Sequence, residues 1–152
     1  MTRTKESRKK KQLKVIGWRE WLSIPTLGVD RIKAKIDTGA RSSAIHAFNV
    51  RTFSEHGAPH VSFQLHPVQD RRHPSIEAVA EIRDERMVKS SNGQRELRFV
   101  IDVDINMGGL VWPIELTLTD RDPMGFRMLL GREAIRKRFL VDAGRSFLAE
   151  RN

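Results

Sequence analysis

Cysteine is absent from the 152 residues of this chain. Its absence excludes disulfide bonds, thiolate zinc sites and cysteine nucleophiles, and it fits a reducing compartment. The chain also lacks any run near the roughly 18 apolar residues that a membrane-spanning helix requires. Its basic first residues lead into no apolar stretch of secretory length. The sequence therefore predicts a cytoplasmic protein without a membrane segment.

Positive charge is concentrated at the start of the chain. Residues 1–14 hold seven of the 28 Lys and Arg residues but one of the 19 Asp and Glu residues, which leaves 21 basic and 18 acidic residues for residues 15–152. A block of like charge tends to stay disordered and to act as a tail. We therefore expect a disordered basic tail over residues 1–14, which raises affinity for acidic partners, and a single domain over residues 15–152.

Apolar residues at every second position indicate β-strands along most of the chain. Such alternation is found in residues 32–36, 60–66, 97–105 and 112–118. Asn92-Gly93 is a hairpin-tip signal, because this dipeptide tolerates positive φ at both turn positions. Arg132 to Phe139 is the only convincing helix, and residues 141–148 have the pattern of a small final hairpin. These features predict an all-β, barrel-like domain with one short C-terminal helix.

The strongest chemical signal is Asp37-Thr38-Gly39-Ala40, into which the alternating strand 32–36 leads. A second run, Leu129-Leu130-Gly131-Arg132, occurs about ninety residues later and directly precedes the predicted helix. This arrangement resembles the retropepsins, the single-domain aspartic peptidases of retroviral type. In those enzymes the Asp-Thr-Gly-Ala loop is crossed by a later strand that ends in Gly-Arg. The hairpin at Ser90–Gly93 lies where retropepsins carry the flap that covers the substrate.

A more specific resemblance covers several longer stretches of the chain. It is carried by residues 17–21 (Gly-Trp-Arg-Glu-Trp), 34–47, 91–93, 128–133 and 139–142. These stretches are similar to a bacterial family often labelled ATP-dependent zinc protease. Its members resemble retropepsins and accompany a ligase that adds glutamates to a ribosomal protein. The resemblance implies a functional link to such a glutamate ligase.

The resemblance implies an aspartic endopeptidase in which Asp37 is one of two catalytic carboxylates. Two carboxylates about 3 Å apart share a proton, because like charges that close cannot both ionise. The ionised one takes a proton from water, and the protonated one polarises the scissile carbonyl. Thr38 is expected to hydrogen-bond across the pair. Gly39 is expected to allow a tight bend that brings backbone N–H groups to the carboxylate.

Only one Asp-Thr-Gly or Asp-Ser-Gly motif occurs in the chain. One such Asp is half an active site, so we expect a twofold homodimer to supply the second Asp37. Asp142-Ala143-Gly144 is the alternative within the chain, although it lacks the hydroxyl residue. We expect no cofactor.

Arg41 occupies the position at which the viral enzymes carry an acidic residue that pairs with the Arg after the late glycine. Glu133 and Glu20 are therefore the candidate partners of Arg132, and Arg41 is expected to lie near the cleft. The predicted substrate-binding residues are Ala40, Arg41, Ser91, Asn92 and Gly93. Four cations of the flap hairpin either attract an acidic peptide or form a solvated face: Arg86, Lys89, Arg95 and Arg98. An acidic or polyglutamate tail of a ribosomal protein is the expected substrate.

Histidine spacing does not support a metal site. The chain has no His-Glu-x-x-His, and Pro59 between His56 and His60 prevents a shared helix face. His60 and His66 share a strand face but lie about 20 Å apart. His46 follows the active loop, and a structural role is favoured for it over a ligand role. No Gly-rich loop ending in Gly-Lys-Ser or Gly-Lys-Thr exists, so any role of ATP is assigned to a partner enzyme.

Two other functions stay open from the sequence. One is a non-catalytic module that binds the ribosome or nucleic acid through the basic tail, with steep salt dependence. The other, less favoured, is a zinc-dependent peptidase. A nucleophilic hydrolase that uses Ser42 or Ser43 is disfavoured, because the chain lacks a Gly-x-Ser-x-Gly elbow and an evident His partner.

Overall fold

The computed structural model describes residues 12–68, 75–89, 92–121 and 125–151. Within these residues the chain forms twelve strands, one short α-helix and two single 3-10 turns, Pro25–Leu27 and Ala149–Arg151. The strands are β1 (Lys14–Gly17), β2 (Arg19–Ile24), β3 (Val29–Asp37), β4 (Ser43–His46), β5 (Phe48–Glu55), β6 (Ala58–Leu65), β7 (Ile76–Glu81), β8 (Asp84–Lys89), β9 (Arg95–Met107), β10 (Leu110–Thr119), β11 (Met128–Gly131) and β12 (Phe139–Asp142). The helix α1 is Arg132–Ile135. No helix among the described residues is long and apolar enough to cross a membrane.

A closed barrel forms the centre of the molecule. Seven strands are joined in the order β10-β4-β11-β3-β2-β9-β8, and β9 also pairs with β10, which closes the sheet. Alternate residues of these strands point inwards, so Ile32, Ala34 and Ile36 of β3 are buried while their neighbours are not. Inward side chains from β2, β3, β4, β9, β10 and β11 fill one core. The predicted all-β barrel is confirmed, and among the described residues it has one short α-helix, which directly follows β11.

A separate three-stranded sheet, in the order β5-β6-β7, covers one side of the barrel. The alternation predicted for residues 60–66 is confirmed, since Val61, Phe63 and Leu65 are buried against the common core. This sheet lies in the chain between the barrel strands β4 and β8. It therefore adds core area without interrupting the strands that carry Asp37.

Glu20 ties both ends of the domain together from inside the protein. Its side chain is buried, and its carboxylate accepts hydrogen bonds from the backbone N–H groups of Gly17 (2.6 Å), Leu148 (2.8 Å) and Ala149 (3.1 Å). A buried carboxylate needs such donors, because losing its water shell is otherwise costly. The predicted pairing of Glu20 with Arg132 is therefore wrong, since backbone donors from both ends of the domain already occupy the Glu20 carboxylate.

The predicted hairpin over residues 141–148 is also wrong. Residues Phe139–Asp142 form β12, which pairs in parallel with β1 and not with the residues that follow it. Residues 145–148 form no strand and run past Gly17, where a Cβ would lie 2.3 Å from the carbonyl oxygen of Arg145. The predicted helix Arg132–Phe139 is shorter, because α1 ends at Ile135. Phe139 already belongs to β12.

The hairpin formed by β8 and β9 is confirmed at the predicted place. Its strands pair antiparallel out to Lys89 and Arg95, and Gly93 has a positive φ of 85°. Ser91 of the predicted substrate-binding set lies outside the described residues. Residues 1–11 of the predicted basic tail also lie outside them, and Lys14, the last residue of that tail, belongs to β1.

Arg86 anchors this hairpin to the barrel. Its guanidinium donates to both oxygens of Glu115 on β10, at 2.8 and 3.0 Å, and to Asp84 at 2.9 Å. The hydrogen bond from Arg86 holds the pKa of Glu115 below its ordinary value and is also the main reason that the pKa of Asp84 is lowered. These carboxylates in turn raise the pKa of Arg86. The bidentate pair fixes β8 across β9 to β10.

The attachment of β8 is expected to weaken in acid. Because the folded-state pKa of Glu115 is lowered, its stabilisation is present above the ordinary value of 4.5 and is lost as the pH falls through the lowered pKa. Hydrogen exchange of the β8 amides, corrected for the intrinsic rate, should therefore accelerate between neutral pH and pH values below about 4. Glu115→Gln should show fast β8 exchange already at neutral pH. Asp102→Asn, a nearby exposed control, should not, and equal exchange in all three proteins contradicts the anchoring role.

Candidate active site

Asp37 is the last residue of β3 and lies at the edge of the barrel. The inward residues Ala34 and Ile36 of this strand are buried, which leaves Asp37 half-buried on the outward face. Its neighbours Thr38 and Gly39 are exposed, and Ala40 is half-buried. The hydrophobic alternation of β3 therefore presents the carboxylate at the surface instead of in the core.

The loop after Asp37 is closed by its own carboxylate. Oδ1 of Asp37 accepts hydrogen bonds from the N–H groups of Gly39 (3.1 Å) and Ala40 (3.2 Å). The predicted donation of backbone N–H groups to the carboxylate is thus confirmed. Gly39 has no positive φ, and a Cβ there would lie 3.4 Å from Oδ1 of Asp37. The backbone freedom of glycine, which the sequence suggested as its role, is therefore not what this position uses.

The junction between β11 and α1 crosses directly behind this loop. β11 pairs in parallel with β3, so that Gly131 lies beside Asp37. The N–H of Arg132 donates to the carbonyl of Ala40 at 2.7 Å, and the N–H of Glu133 donates to that of Arg41 at 3.2 Å. These bonds join the loop to a segment about ninety residues later and fix the direction of Asp37.

Gly131 has no room for a side chain. A Cβ on Gly131 would lie 2.5 Å from the carbonyl oxygen of Ser42 and 3.0 Å from that of Ala40. The N–H of Gly131 donates to the hydroxyl of Ser43 at 3.0 Å. Ser43 is buried, so its hydroxyl supports the loop and is not exposed as a nucleophile. The sequence disfavours Ser43 as a nucleophile, and the position of Ser43 shortly after the Asp37 motif is the signal that indicates this supporting role.

Arg132 reaches the other side of the same loop. Its guanidinium donates to the carbonyl oxygen of Thr38 at 3.2 Å. Neither predicted carboxylate serves it, because Glu133 lies near Arg136 at 3.6 Å and Glu20 is bound to backbone donors. Arg132 therefore binds the backbone of the loop, in place of the ion pair expected from the viral enzymes.

The cations predicted on the flap hairpin divide into two groups. Arg86 is held by Glu115, and Arg98 is held by Glu96 at 3.0 Å and contacts Thr117. These two are neutralised parts of the barrel surface, so their predicted role in attracting acidic peptide is not supported. Lys89 and Arg95 are exposed and lie directly opposite each other. Arg41, beside the motif, is also exposed.

The Asp142 carboxylate does not join that of Asp37. Its Oδ1 accepts a hydrogen bond from the N–H of Gly144 at 3.0 Å, and Asp142 itself lies beside Gly17 at the end of β12. The local loop geometry is similar to that of Asp37, but the contacts of each carboxylate stay within its own loop. The described part of one chain thus presents one carboxylate at the Asp37 site.

The histidines are dispersed over the molecule. His46 lies at the far end of β4, where its Nδ1 is 3.4 Å from the guanidinium of Arg127. His60 contacts the carbonyl of Ala58, His66 stacks on Phe48, and His56 forms the turn between β5 and β6. No three His, Asp or Glu side chains come together as a metal site within the described ranges. The described donor set therefore does not fit the zinc ion that the family label implies.

Two surface depressions lie away from Asp37. One, of about 500 Å³, is lined by Glu133 and residues 136–138 near α1. The other, of about 360 Å³, lies between β1 and the turn from β9 to β10. Neither depression is lined by a residue of the Asp37 loop.

Comparison with known proteins adds a family to this geometry. Residues 15–152 match the RimB-like family, described as retropepsin-like aspartic endopeptidase RimB. A Shewanella pealeana protein named probable alpha-L-glutamate ligase is 52% identical over 133 residues, which are 88% of this chain and 29% of that protein. A Desulfotalea psychrophila protein of the same name is 47% identical over 129 residues, covering 85% of this chain and 28% of that protein. This chain thus spans less than a third of the length of these curated relatives.

The fold also has a counterpart among solved structures. A Legionella pneumophila protein with unknown function (DUF785) superimposes with a TM-score of 0.75 at 26% identity. The match covers 91% of this chain and 99% of the Legionella chain. Together with the family match, it confirms the resemblance inferred from the sequence and the all-β fold.

Adding a methyl group at Gly131 is expected to disturb the Asp37 loop. Gly131→Ala places a Cβ 2.5 Å from a backbone oxygen that two β-strands hold in place, and overpacking of this kind typically costs about 1–3 kcal/mol. Urea denaturation should show this loss. Gly39→Ala is the matched control, because its Cβ meets only Oδ1 of Asp37 at 3.4 Å. If both variants unfold at the same urea concentration as the wild type, the loop is not held by this close approach.

Proposed function

Because the chain belongs to the RimB-like family of retropepsin-like aspartic endopeptidases, we propose that it hydrolyses peptide bonds with two copies of Asp37, one from each subunit of a homodimer. The observation that carries the proposal is the carboxylate geometry. Oδ1 of Asp37 is held by two backbone N–H groups, and Oδ2 accepts no hydrogen bond from the described residues. One oxygen is thus fixed, and the other is left for a proton or a water molecule.

The chemistry needs a second carboxylate close to the first. When two such groups approach to about 3 Å, one keeps its proton and the other stays ionised. The ionised one accepts a proton from water as the water oxygen bonds to the scissile carbonyl carbon. The protonated one donates to the carbonyl oxygen, and proton transfer to the nitrogen then allows the C–N bond to break. Atoms and charge balance with water as the only co-substrate.

A second copy of this chain is the proposed source of that carboxylate. Thr38 is exposed, and its hydroxyl makes no hydrogen bond within the described residues. A twofold axis beside the loop would bring Thr38 and Asp37 of both subunits together, as an isologous interface requires. On this proposal the exposed loop is the centre of the dimer interface.

The names of the relatives fit a link to glutamate chemistry. The Shewanella and Desulfotalea proteins are named probable alpha-L-glutamate ligases, and this chain matches only 29% and 28% of their length. We infer that the ligase activity of those proteins belongs to the part that this chain does not match. Fusion of the two parts supports a peptidase that acts on the glutamate-rich product of a ligase, such as the acidic tail of a ribosomal protein.

The charges around the site support an acidic substrate. Arg41 is exposed beside Asp37 and makes no ion pair within the described ranges. Lys89 and Arg95 lie opposite each other on β8 and β9, although like charges in that position are destabilising. On the same face, Met87 and Leu97 form an exposed apolar pair, each 60% exposed. A flap that closes over an acidic peptide would use both features.

Mixing experiments test the shared site. Asp37→Asn is expected to abolish cleavage of a decaglutamate peptide while the fold is retained. Wild type and Asp37→Asn are then mixed in equal amounts, with time for subunit exchange and at constant total concentration. If both subunits supply Asp37, activity should fall to about one quarter of that of the wild type, whereas independent subunits would keep about half.

The matched control for this experiment is Asp142→Asn, which makes the same chemical change at the rival carboxylate. It is expected to cleave like the wild type, alone and in the mixture. Cleavage by Asp37→Asn alone would contradict the peptidase proposal. Retention of half the activity in the mixture would contradict the homodimeric site.

Charge reversal at Arg41 tests the substrate class. Arg41→Glu removes an attractive charge and adds a repulsive one, so kcat/KM for decaglutamate should fall by about tenfold. Cleavage of a neutral peptide should change much less. Arg51→Glu, the same reversal on β5 of the separate sheet, serves as the control and should affect neither peptide. Equal losses on the acidic and neutral peptides would remove Arg41 from a role in selecting acidic substrates.

A further inference from the structure

The outer face of β2 and β3 carries cations and aromatic rings. Outward residues of the two strands lie opposite each other, Arg19 beside Lys35 and Trp21 beside Lys33. We call the following set the cation–aromatic face: Trp18, Arg19, Trp21, Arg31, Lys33, Lys35 and Phe147. It contains four cations and no carboxylate.

The members of this face are stacked on one another. Arg19 lies between two rings, 4.8 Å from the centroid of Trp18 and 4.9 Å from that of Phe147. Arg31 lies 4.3 Å and Lys33 5.8 Å from the ring centroid of Trp21. Trp21 and Phe147 are stacked at 5.8 Å. Stacking on a ring holds a cation in place without neutralising its charge.

The cations of this face differ from Arg86 and Arg98. Those two arginines are held by carboxylates, Arg86 by Glu115 and Arg98 by Glu96. Within the described ranges no carboxylate lies at ion-pair distance from Arg19, Arg31 or Lys33. The cationic ends of Arg19, Arg31 and Lys33 are therefore ordered and still available to an anion.

Two features of the face are unfavourable in the isolated chain. Arg19 and Lys35 lie directly opposite each other in the sheet, and like charges there repel. Phe147 has a positive φ of 56°, which is uncommon for a bulky residue.

The face leads towards the Asp37 loop. Arg31, Lys33, Lys35 and Asp37 are alternate residues of β3 and share its outward side. At about 3.3 Å per residue, Lys33 lies roughly 13 Å and Arg31 roughly 20 Å from Asp37 along the strand. An extended peptide covers these distances with about four to six residues. A chain held on this face could thus place a peptide bond at Asp37.

We propose that the cation–aromatic face is a docking surface for an acidic polypeptide, which it binds through side-chain carboxylates outside the catalytic site. Its role in delivering substrate rests on the peptidase function proposed above, but its binding of acidic peptide does not. A polypeptide fits better than single-stranded nucleic acid. The Trp21 ring is already contacted by Arg31, Lys33 and Phe147, and binding of single strands depends on rings that are free to stack on bases.

Binding is measured with Asp37→Asn, so that cleavage cannot interfere. Two of the three Trp residues belong to the face, so intrinsic fluorescence reports occupancy as decaglutamate is added. Arg31→Gln with Lys33→Gln should weaken binding by about fivefold, as expected for the loss of two exposed charge contacts. Arg31→Gln alone should show part of this loss. Thermal unfolding of each variant checks that the fold is kept.

The control is Arg51→Gln with Lys137→Gln, which removes the same charge from exposed positions elsewhere and should leave binding unchanged. Equal weakening in this control, or unchanged affinity in the Arg31 and Lys33 variant, overturns the proposal. Tighter binding of a uridine oligonucleotide than of decaglutamate at equal salt also overturns it, in favour of nucleic acid. Peptide cleavage by the wild type is assayed separately. Loss of binding in the face variant together with an inactive wild type would leave the docking surface standing and remove the peptidase function.

Discussion

The contact of Gly131 with the Asp37 loop is the constraint on which the site depends. Because Gly131 has no side chain, β11 can pass very close to the loop. A Cβ on Gly131 would lie only 2.5 Å from the carbonyl oxygen of Ser42. At that separation the N–H of Arg132 donates to the carbonyl of Ala40, and the N–H of Gly131 donates to the hydroxyl of Ser43. These contacts from outside the loop fix its conformation. Exposed loops without such contacts are more mobile. Asp37 takes its direction from two β-strands and the first residues of α1.

Glu20 supplies a second constraint from β2, where it lies opposite Ala34 of β3. Its buried carboxylate accepts hydrogen bonds from the backbone N–H groups of Gly17 and of the segment at Leu148. These bonds join the two ends of the domain beside β2. Trp18 follows Gly17 directly, and its N–H donates to the carbonyl of Arg145 while its own carbonyl accepts from Ile36. The segment that Glu20 fixes also contains Phe147. The ordered rings and cations of the outer face are thus a consequence of where one buried carboxylate sits.

Sequence reasoning recovered what depends on local pattern and missed what depends on pairing across the chain. The alternation of apolar and polar residues predicts β3, β6, β9 and β10, because a strand with one buried face has an apolar residue at every second position. The parallel pairing of β1 with β12 has no local signal, and residues 141–148 were therefore taken for a hairpin. Motif spacing likewise located Asp37 and Gly131. It could not show that Arg86 is neutralised, since its partner Glu115 becomes a neighbour only in the folded sheet. Glu96, by contrast, lies two residues from Arg98 on the same strand.

The exposure of Asp37 bears on when the site can act. A half-buried carboxylate at the surface of a single chain is solvated, and no like charge lies beside it within the described residues. The shared proton that peptide hydrolysis needs arises only when a second carboxylate comes within about 3 Å. If a second copy supplies it, assembly creates the acid and the base in one step, and an isolated subunit holds neither in working form. The unneutralised cations around that loop would then attract an acidic peptide to a single subunit before that subunit is able to cleave the peptide. Electrostatic attraction acts at a range of about 8–10 Å, whereas the shared proton requires direct contact between the carboxylates.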